Sequence, residues 1–237
     1  MPQAIIALHC WAGAGREYDV LRSLLPADTK LFAPDLPGFG AQPAPAEFNY
    51  SVEAYTDWIA DYIRQCDATD YTLIGHSMGG KMALALAARR PVGLRRLVLL
   101  SPSPPTGEPM SDDDRAAALA AYGKPEEAEK TFRKITRRPL SAALRANVIA
   151  DNLRCTPPAW AIWLQEGTRE NIKSLMPRLA VPCHLLVGAG DAAITPETQQ
   201  QQTLPLLPAG TPFTLVADAG HLLPLEVPEQ VMEVVNW

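Results

Sequence analysis

The chain has 237 residues, 47% of them hydrophobic and 20% charged, with a formal net charge of −5. That length and apolar content suit one large α/β domain with a full core and exclude a disordered or collagen-like chain. The mild acidity, without a basic block, argues against nucleic acid as a partner, and the lack of any run of about 18 apolar residues argues against a membrane span.

In chain order, Ala4-Ile5-Ile6-Ala7-Leu8 is a short unbroken apolar run, read as a buried strand that ends in the loop His9-Cys10-Trp11-Ala12-Gly13. A helix is expected over residues 17–25, stopped by Pro26. A second strand at Leu31-Phe32-Ala33 leads into Pro34-Asp35-Leu36-Pro37-Gly38-Phe39-Gly40. Ser51 is a weak cap for a helix in which Val52, Tyr55, Ile59, Tyr62 and Ile63 recur at helical spacing. Tyr71-Thr72-Leu73-Ile74-Gly75 is a strand that runs into His76-Ser77-Met78-Gly79-Gly80, followed by an alanine-rich helix over 81–89 and the strand Leu97-Val98-Leu99-Leu100. Strand and helix therefore alternate, which implies right-handed crossovers and a parallel sheet covered on both faces.

Residues 102–181 break the alternation with four expected helices, over 115–121, 126–135, 142–153 and 159–166, and no strand. The alternation resumes with the strand Cys183-His184-Leu185-Leu186-Val187-Gly188, a short helix over 196–203, the strand Phe213-Thr214-Leu215-Val216 and a final helix from Val227, with Pro228 in its first turn. The expected organisation is a core in two parts, residues 1–101 and 182–237, with a helical lid (102–181) inserted between two sheet strands. The lid would cover the edge at which open α/β sheets bind ligands. The 23 prolines, about twice the usual share of roughly 5%, gather at the lid's entry, between its helices and at Pro182, and so mark a boundary.

Gly75-His76-Ser77-Met78-Gly79 matches the nucleophile elbow G-x-S-x-G in its required setting of strand, turn and helix. The sharp turn lifts the serine side chain out of the sheet and forces small neighbours. A serine needs a base and an orienting acid. His221 follows the last strand and Asp191 the strand before it, so both fall at the same edge as Ser77, in the chain order Ser, Asp, His. Asp218, near His221 in sequence, is read as a loop cap. His9 and His184 fall in or at strands, and His76 is read as pointing away from the nucleophile. The oxyanion would be held by the backbone N–H groups of Met78 and Trp11, the other reading of Trp11 being a core aromatic.

Taken in order, the His9-Cys10 turn, the Asp35-Leu36-Pro37-Gly38-Phe39-Gly40 motif, the Ser77 elbow, Gly190-Asp191 and Gly220-His221 resemble the α/β-hydrolase superfamily over most of the chain. Within it the chain is similar to the small lidded serine carboxylesterases. The resemblance implies an α/β-hydrolase fold, with a mostly parallel sheet of about six strands flanked by helices. It implies hydrolysis of a small apolar ester through an acyl-enzyme, without a cofactor. Two departures stand out: Cys10 replaces the glycine usual at the oxyanion turn, and two strands that usually precede the first are missing. The same outline also fits C–C bond hydrolases or lyases. The His-Cys-Trp turn further resembles cofactor-free oxygenases of this fold, although those carry a histidine where this chain has Met78.

Trp160 and Trp163, three apart on one expected helix, join Trp11 and Leu222 as candidate substrate-binding residues, with Leu223 beside them. These tryptophans, with Tyr122 and Phe132, either line the cleft or pack the lid onto the sheet. Asp112-Asp113-Asp114 reads as a solvated helix start and Arg137-Arg138 as surface, and Lys81 lacks a phosphate-loop pattern around it. Cys10, Cys66, Cys155 and Cys183 show no metal-ligand spacing and read as free buried thiols of a cytoplasmic protein. No metal is expected. Met1-Pro2-Gln3 lacks the basic segment of a signal peptide.

Overall fold

Short apolar runs become six strands: β1 (Ala4–Leu8), β2 (Lys30–Phe32), β3 (Tyr71–His76), β4 (Leu94–Leu100), β5 (Cys183–Gly188) and β6 (Phe213–Val216). They form one all-parallel sheet in the order β2-β1-β3-β4-β5-β6. The computed structural model describes residues 4–235, so Met1-Pro2-Gln3 lie outside the described residues. The chain runs from β1 outward to β2, then returns to the other side of β1 for β3. The loops after β1 and β3 therefore part company and open a crevice at the carboxyl ends of the strands, the topological switch point of such sheets.

Both faces of the sheet are covered. Ile6 and Leu8 of β1 pack in the cluster that holds α2 (Val52–Gln65) and α3 (Met78–Ala88), whereas Ile5 and Ala7 face the cluster of Leu21, Leu223 and Val231. The first of these belongs to α1 (Asp19–Leu24). Between β4 and β5 the chain leaves the sheet for α4 (Asp112–Ala120), α5 (Pro125–Ile135), α6 (Ala142–Arg154) and α7 (Pro157–Ile162), the last widening into a π turn over Trp163–Gly167. After β5 come α8 (Pro196–Thr198), α9 (Leu223–Glu226) and α10 (Pro228–Val235).

Several expectations shift for physical reasons. The helix expected over 17–25 divides into a 3₁₀ turn at Gly15–Tyr18 and the short α1. The helix expected to begin at Lys81 begins at Met78: Gly79 and Gly80 are poor helix formers, but tertiary packing overrides propensity here. The Ser51 side chain does accept the N–H of Ala54, so the cap is real. Of the four thiols, Cys66 is only half-buried.

Candidate active site

Ser77 stands between β3 and α3 with φ 53° and ψ −117°, a left-handed conformation that strains a residue with a Cβ. The strain is held by hydrogen bonds on all sides. The Ser77 N–H donates to the Leu100 carbonyl at 3.0 Å, and its own carbonyl accepts the N–H groups of Gly80 and Ser103, each at 2.9 Å. A Cβ on Gly79 would lie 2.5 Å from the Leu8 carbonyl oxygen, so only glycine lets the start of α3 press against the end of β1.

That contact brings the loop after β1 beside the elbow. His9 is fully buried and pins this loop: Nδ1–H donates to the Cys10 carbonyl at 2.7 Å, and Nε2 accepts the Leu36 N–H at 2.9 Å. Nε2 can accept only when the ring is neutral, and burial lowers the His9 pKa, which favours that form. Among the described residues, neither the Trp11 N–H nor the Met78 N–H has a hydrogen-bond acceptor.

His221 is buried, and its Nδ1–H donates to Asp191 Oδ2 at 2.7 Å. The other Asp191 oxygen accepts the N–H groups of Ala193 at 2.8 Å and Ile194 at 3.0 Å, which fixes the carboxylate. Burial alone would lower the imidazole pKa, but the charge and hydrogen bond of Asp191, aided by Glu108 and Glu17, outweigh it and raise the value. Burial likewise works against the Asp191 carboxylate, and His221 with the backbone N–H of Ile194 outweighs it, so this acid is held below its ordinary range. Asp218 is exposed, with φ 57°.

A cavity of about 510 Å³ opens between the sheet edge and the insert. Ser77 and His221 line it together with Trp11, Trp160, Trp163 and Leu222, so the candidate contact residues converge on one space. The Trp11 and Trp160 rings stand 4.2 Å apart by their centroids, and Trp160 Nε1–H donates to the Ala118 carbonyl. Phe132 also lines the cavity, whereas Tyr122 packs behind Trp160 and donates to the Cys155 carbonyl. Asp191 and Met78 are not among the residues that line it.

Three buried residues around His221, namely His76, Glu17 and Glu226, make contacts there that no local sequence pattern marks. His76 does not line the cavity, but its ring lies 5.0 Å from that of His221, and its Nε2–H donates to the His221 carbonyl at 2.8 Å. Its Nδ1 meets Glu17 Oε1 at 3.1 Å, and the Cys10 thiol donates to Glu17 Oε2 at 3.3 Å. Burial would raise the Glu17 pKa, but His76, His9 and Cys10 together hold it below the ordinary value. Cys10, Glu17 and His76 bring metal-ligand atoms within 4.8 Å of one another, and these hydrogen bonds already engage them. The third residue is Glu226, buried beside the His221 loop, where its carboxylate accepts four backbone N–H groups. Two of these belong to Arg137, whose side chain is exposed as expected, and to the half-buried Arg138. The signal in the sequence is a charge amid apolar neighbours, Leu223-Pro224-Leu225-Glu226-Val227, which a buried stretch tolerates only with donors in reach.

The family model described as "Alpha/beta hydrolase family" matches residues 5–234. A pimeloyl-[acyl-carrier protein] methyl ester esterase of Neisseria meningitidis serogroup A is 32% identical over 212 residues, covering 83% of this chain and 65% of that protein. One of the same name from Aromatoleum aromaticum is 29% identical over 250 residues, covering 98% and 96%. Among solved structures, an esterase from Exiguobacterium antarcticum superposes with a TM-score of 0.88 at 19% identity, covering 99% of this chain and 92% of that one. A bromoperoxidase from Bacillus anthracis gives 0.89 at 16% identity, covering 100% and 91%. The chain belongs to the α/β hydrolase family.

Proposed function

We propose that the chain cleaves small carboxylic esters through a Ser77–His221–Asp191 triad and an acyl-enzyme. The observation that carries this reading is the buried 2.7 Å pair of His221 and Asp191, with His221 lining one cavity together with a strained Ser77. His221 takes the serine proton as Ser77 attacks the acyl carbon. Asp191 keeps the imidazole in the right tautomer and stabilises the imidazolium. The unengaged N–H groups of Trp11 and Met78 receive the oxyanion, His221 then protonates the leaving alcohol, and water drawn by the same base releases the acid.

The insert acts as a lid over residues 1–101 and 182–237, and its wall of Trp160, Trp163 and Phe132 suits an apolar acyl chain. The names of the relatives make the methyl ester of a carrier-bound acyl chain the first substrate to test. Between residues 124 and 154 the lid carries eight Lys and Arg against four Asp and Glu, opposite in sign to the chain as a whole, which favours an anionic carrier. Four free thiols support a cytoplasmic setting. One stretch of 71 residues, 30% of this chain, is 38% identical to a 2-hydroxymuconate semialdehyde hydrolase of Pseudomonas and keeps C–C hydrolysis as the second reading.

The decisive test is Ser77→Ala, assayed with p-nitrophenyl acetate and butyrate and with methyl esters against a diketone substrate. Loss of several orders of magnitude in kcat on esters is expected. Activity within a few-fold of wild type would sink the mechanism.

A further inference from the structure

We infer that Glu226 is a positioning residue for His221, a clamp that fastens the base-bearing loop to the end of the insert's helix α5; this rests on His221 being the general base. Glu226 Oε2 accepts the N–H groups of Gly220 at 2.9 Å and of Arg137 and Arg138, both at 2.8 Å, while Oε1 accepts that of Leu222 at 3.0 Å. The two loop donors flank His221 on either side. The other two come from the strand of chain that leaves α5. A fifth bond joins the same segments directly: the His221 N–H donates to the Ile135 carbonyl at 2.7 Å.

The chemistry of the clamp requires an acceptor-only group. Four N–H donors converge on two oxygens, which a carboxylate satisfies and an amide, with two donors of its own, does not. The Arg137 and Arg138 side chains do not supply the counter-charge: Arg137 Nη1 donates to the Lys134 and Thr136 carbonyls, and Arg138 Nη2 to the Ala217 carbonyl. The fit is close as well. A Cβ on Gly220 would stand 2.3 Å from the Ile135 carbonyl oxygen and 3.0 Å from Glu226 Oε1. Residues 220–222 and 135–138 are therefore joined, and the placement of the imidazole is set partly by the insert. A displacement of about 1 Å at a reacting group lowers turnover on the order of 10²-fold.

The test is Glu226→Gln, which keeps the volume and removes the acceptor set, beside Glu229→Gln on the exposed start of α10 as a control for lost charge. Esterase kinetics are measured with the melting temperature and with the low-field proton resonance of the His221–Asp191 hydrogen bond. In Glu226→Gln, kcat falls by about 10²-fold while KM stays within about threefold, and the His221 resonance broadens or moves; Glu229→Gln matches wild type. If Glu226→Gln fails to fold, Gly220→Ala presses the same contact apart with the carboxylate in place and must give the same split. A folded variant with wild-type kcat and an unmoved His221 resonance overturns the inference. A folded Ser77→Ala that stays active would instead overturn the triad, and the His221 resonance still reports whether Glu226 positions the ring.

Discussion

Lys81 is fully buried on α3, one turn beyond Ser77, and its ammonium donates to the carbonyls of Gly167 at 3.1 Å and Glu170 at 3.0 Å. The nitrogen also stands 5.6 Å from the centroid of the Trp163 ring. It thus ties the nucleophile helix to the π turn that carries a wall of the cavity. Burial brings its pKa down to about 8 from 10.5, against the opposing pull of Glu108 and Glu170. The sign follows from linkage. Below pH 8 the lysine is charged whether the chain is folded or not, and folding bears the full penalty of burying the charge. Between pH 8 and 10.5 the folded form releases its proton first, so the unfolded state binds more protons and stability rises with pH. Each pH unit of separation is about 1.4 kcal/mol, so the full window is on the order of 3 kcal/mol. Lys81→Met has no such window. Urea unfolding of both proteins, followed by circular dichroism from pH 7 to 10.5, should show the wild type gaining on the variant by up to about 3 kcal/mol. Other titrating groups cancel in the difference. A difference that stays flat across this range refutes the buried, charged lysine.

Two further outcomes follow from the same site. Asp191→Asn should lower kcat by roughly 10⁴-fold. Because Asp191 is what raises the His221 pKa against burial, the acid limb of the pH–rate profile should also move to lower pH in the variant; a limb that stays in place would separate Asp191 from the base. Cys10 lines the cavity, yet burial pushes its thiol well above the ordinary range, so iodoacetamide at pH 7.5 should label the half-buried Cys66 first and leave esterase activity intact; inactivation that tracks labelling of Cys10, read by mass spectrometry, would contradict its burial.

The sheet and the three candidate catalytic residues were legible in the sequence because each rests on local signals. A buried strand is a short apolar run, and Ser77, Asp191 and His221 each follow such a run with a glycine beside or near them. The cap at Ser51 and the proline at the start of α10 are local in the same way. The helix ends were less legible where packing overrules propensity, as at Gly79 and Gly80, whose place in α3 is fixed by the close approach of β1.

The residues that lock the site were missed for a different reason. Lys81 and Glu226 act on backbone groups of segments distant in sequence, at Gly167 and Glu170 for one and at Arg137 and Arg138 for the other. A backbone N–H or carbonyl is present at nearly every residue, so no side-chain pattern marks the partner. What the sequence does carry is one half of the contact, a charge in a stretch too apolar to be exposed. Gly79-Gly80-Lys81-Met82-Ala83-Leu84 and Leu223-Pro224-Leu225-Glu226-Val227 share that form. A buried charge with no sequence-adjacent counter-ion must find dipoles, and both charges find them in backbone groups of the insert, Glu226 also in those of Gly220 and Leu222. The two charges therefore fall where the insert meets the elbow helix and the His221 loop, which are the places where its position bears on the chemistry.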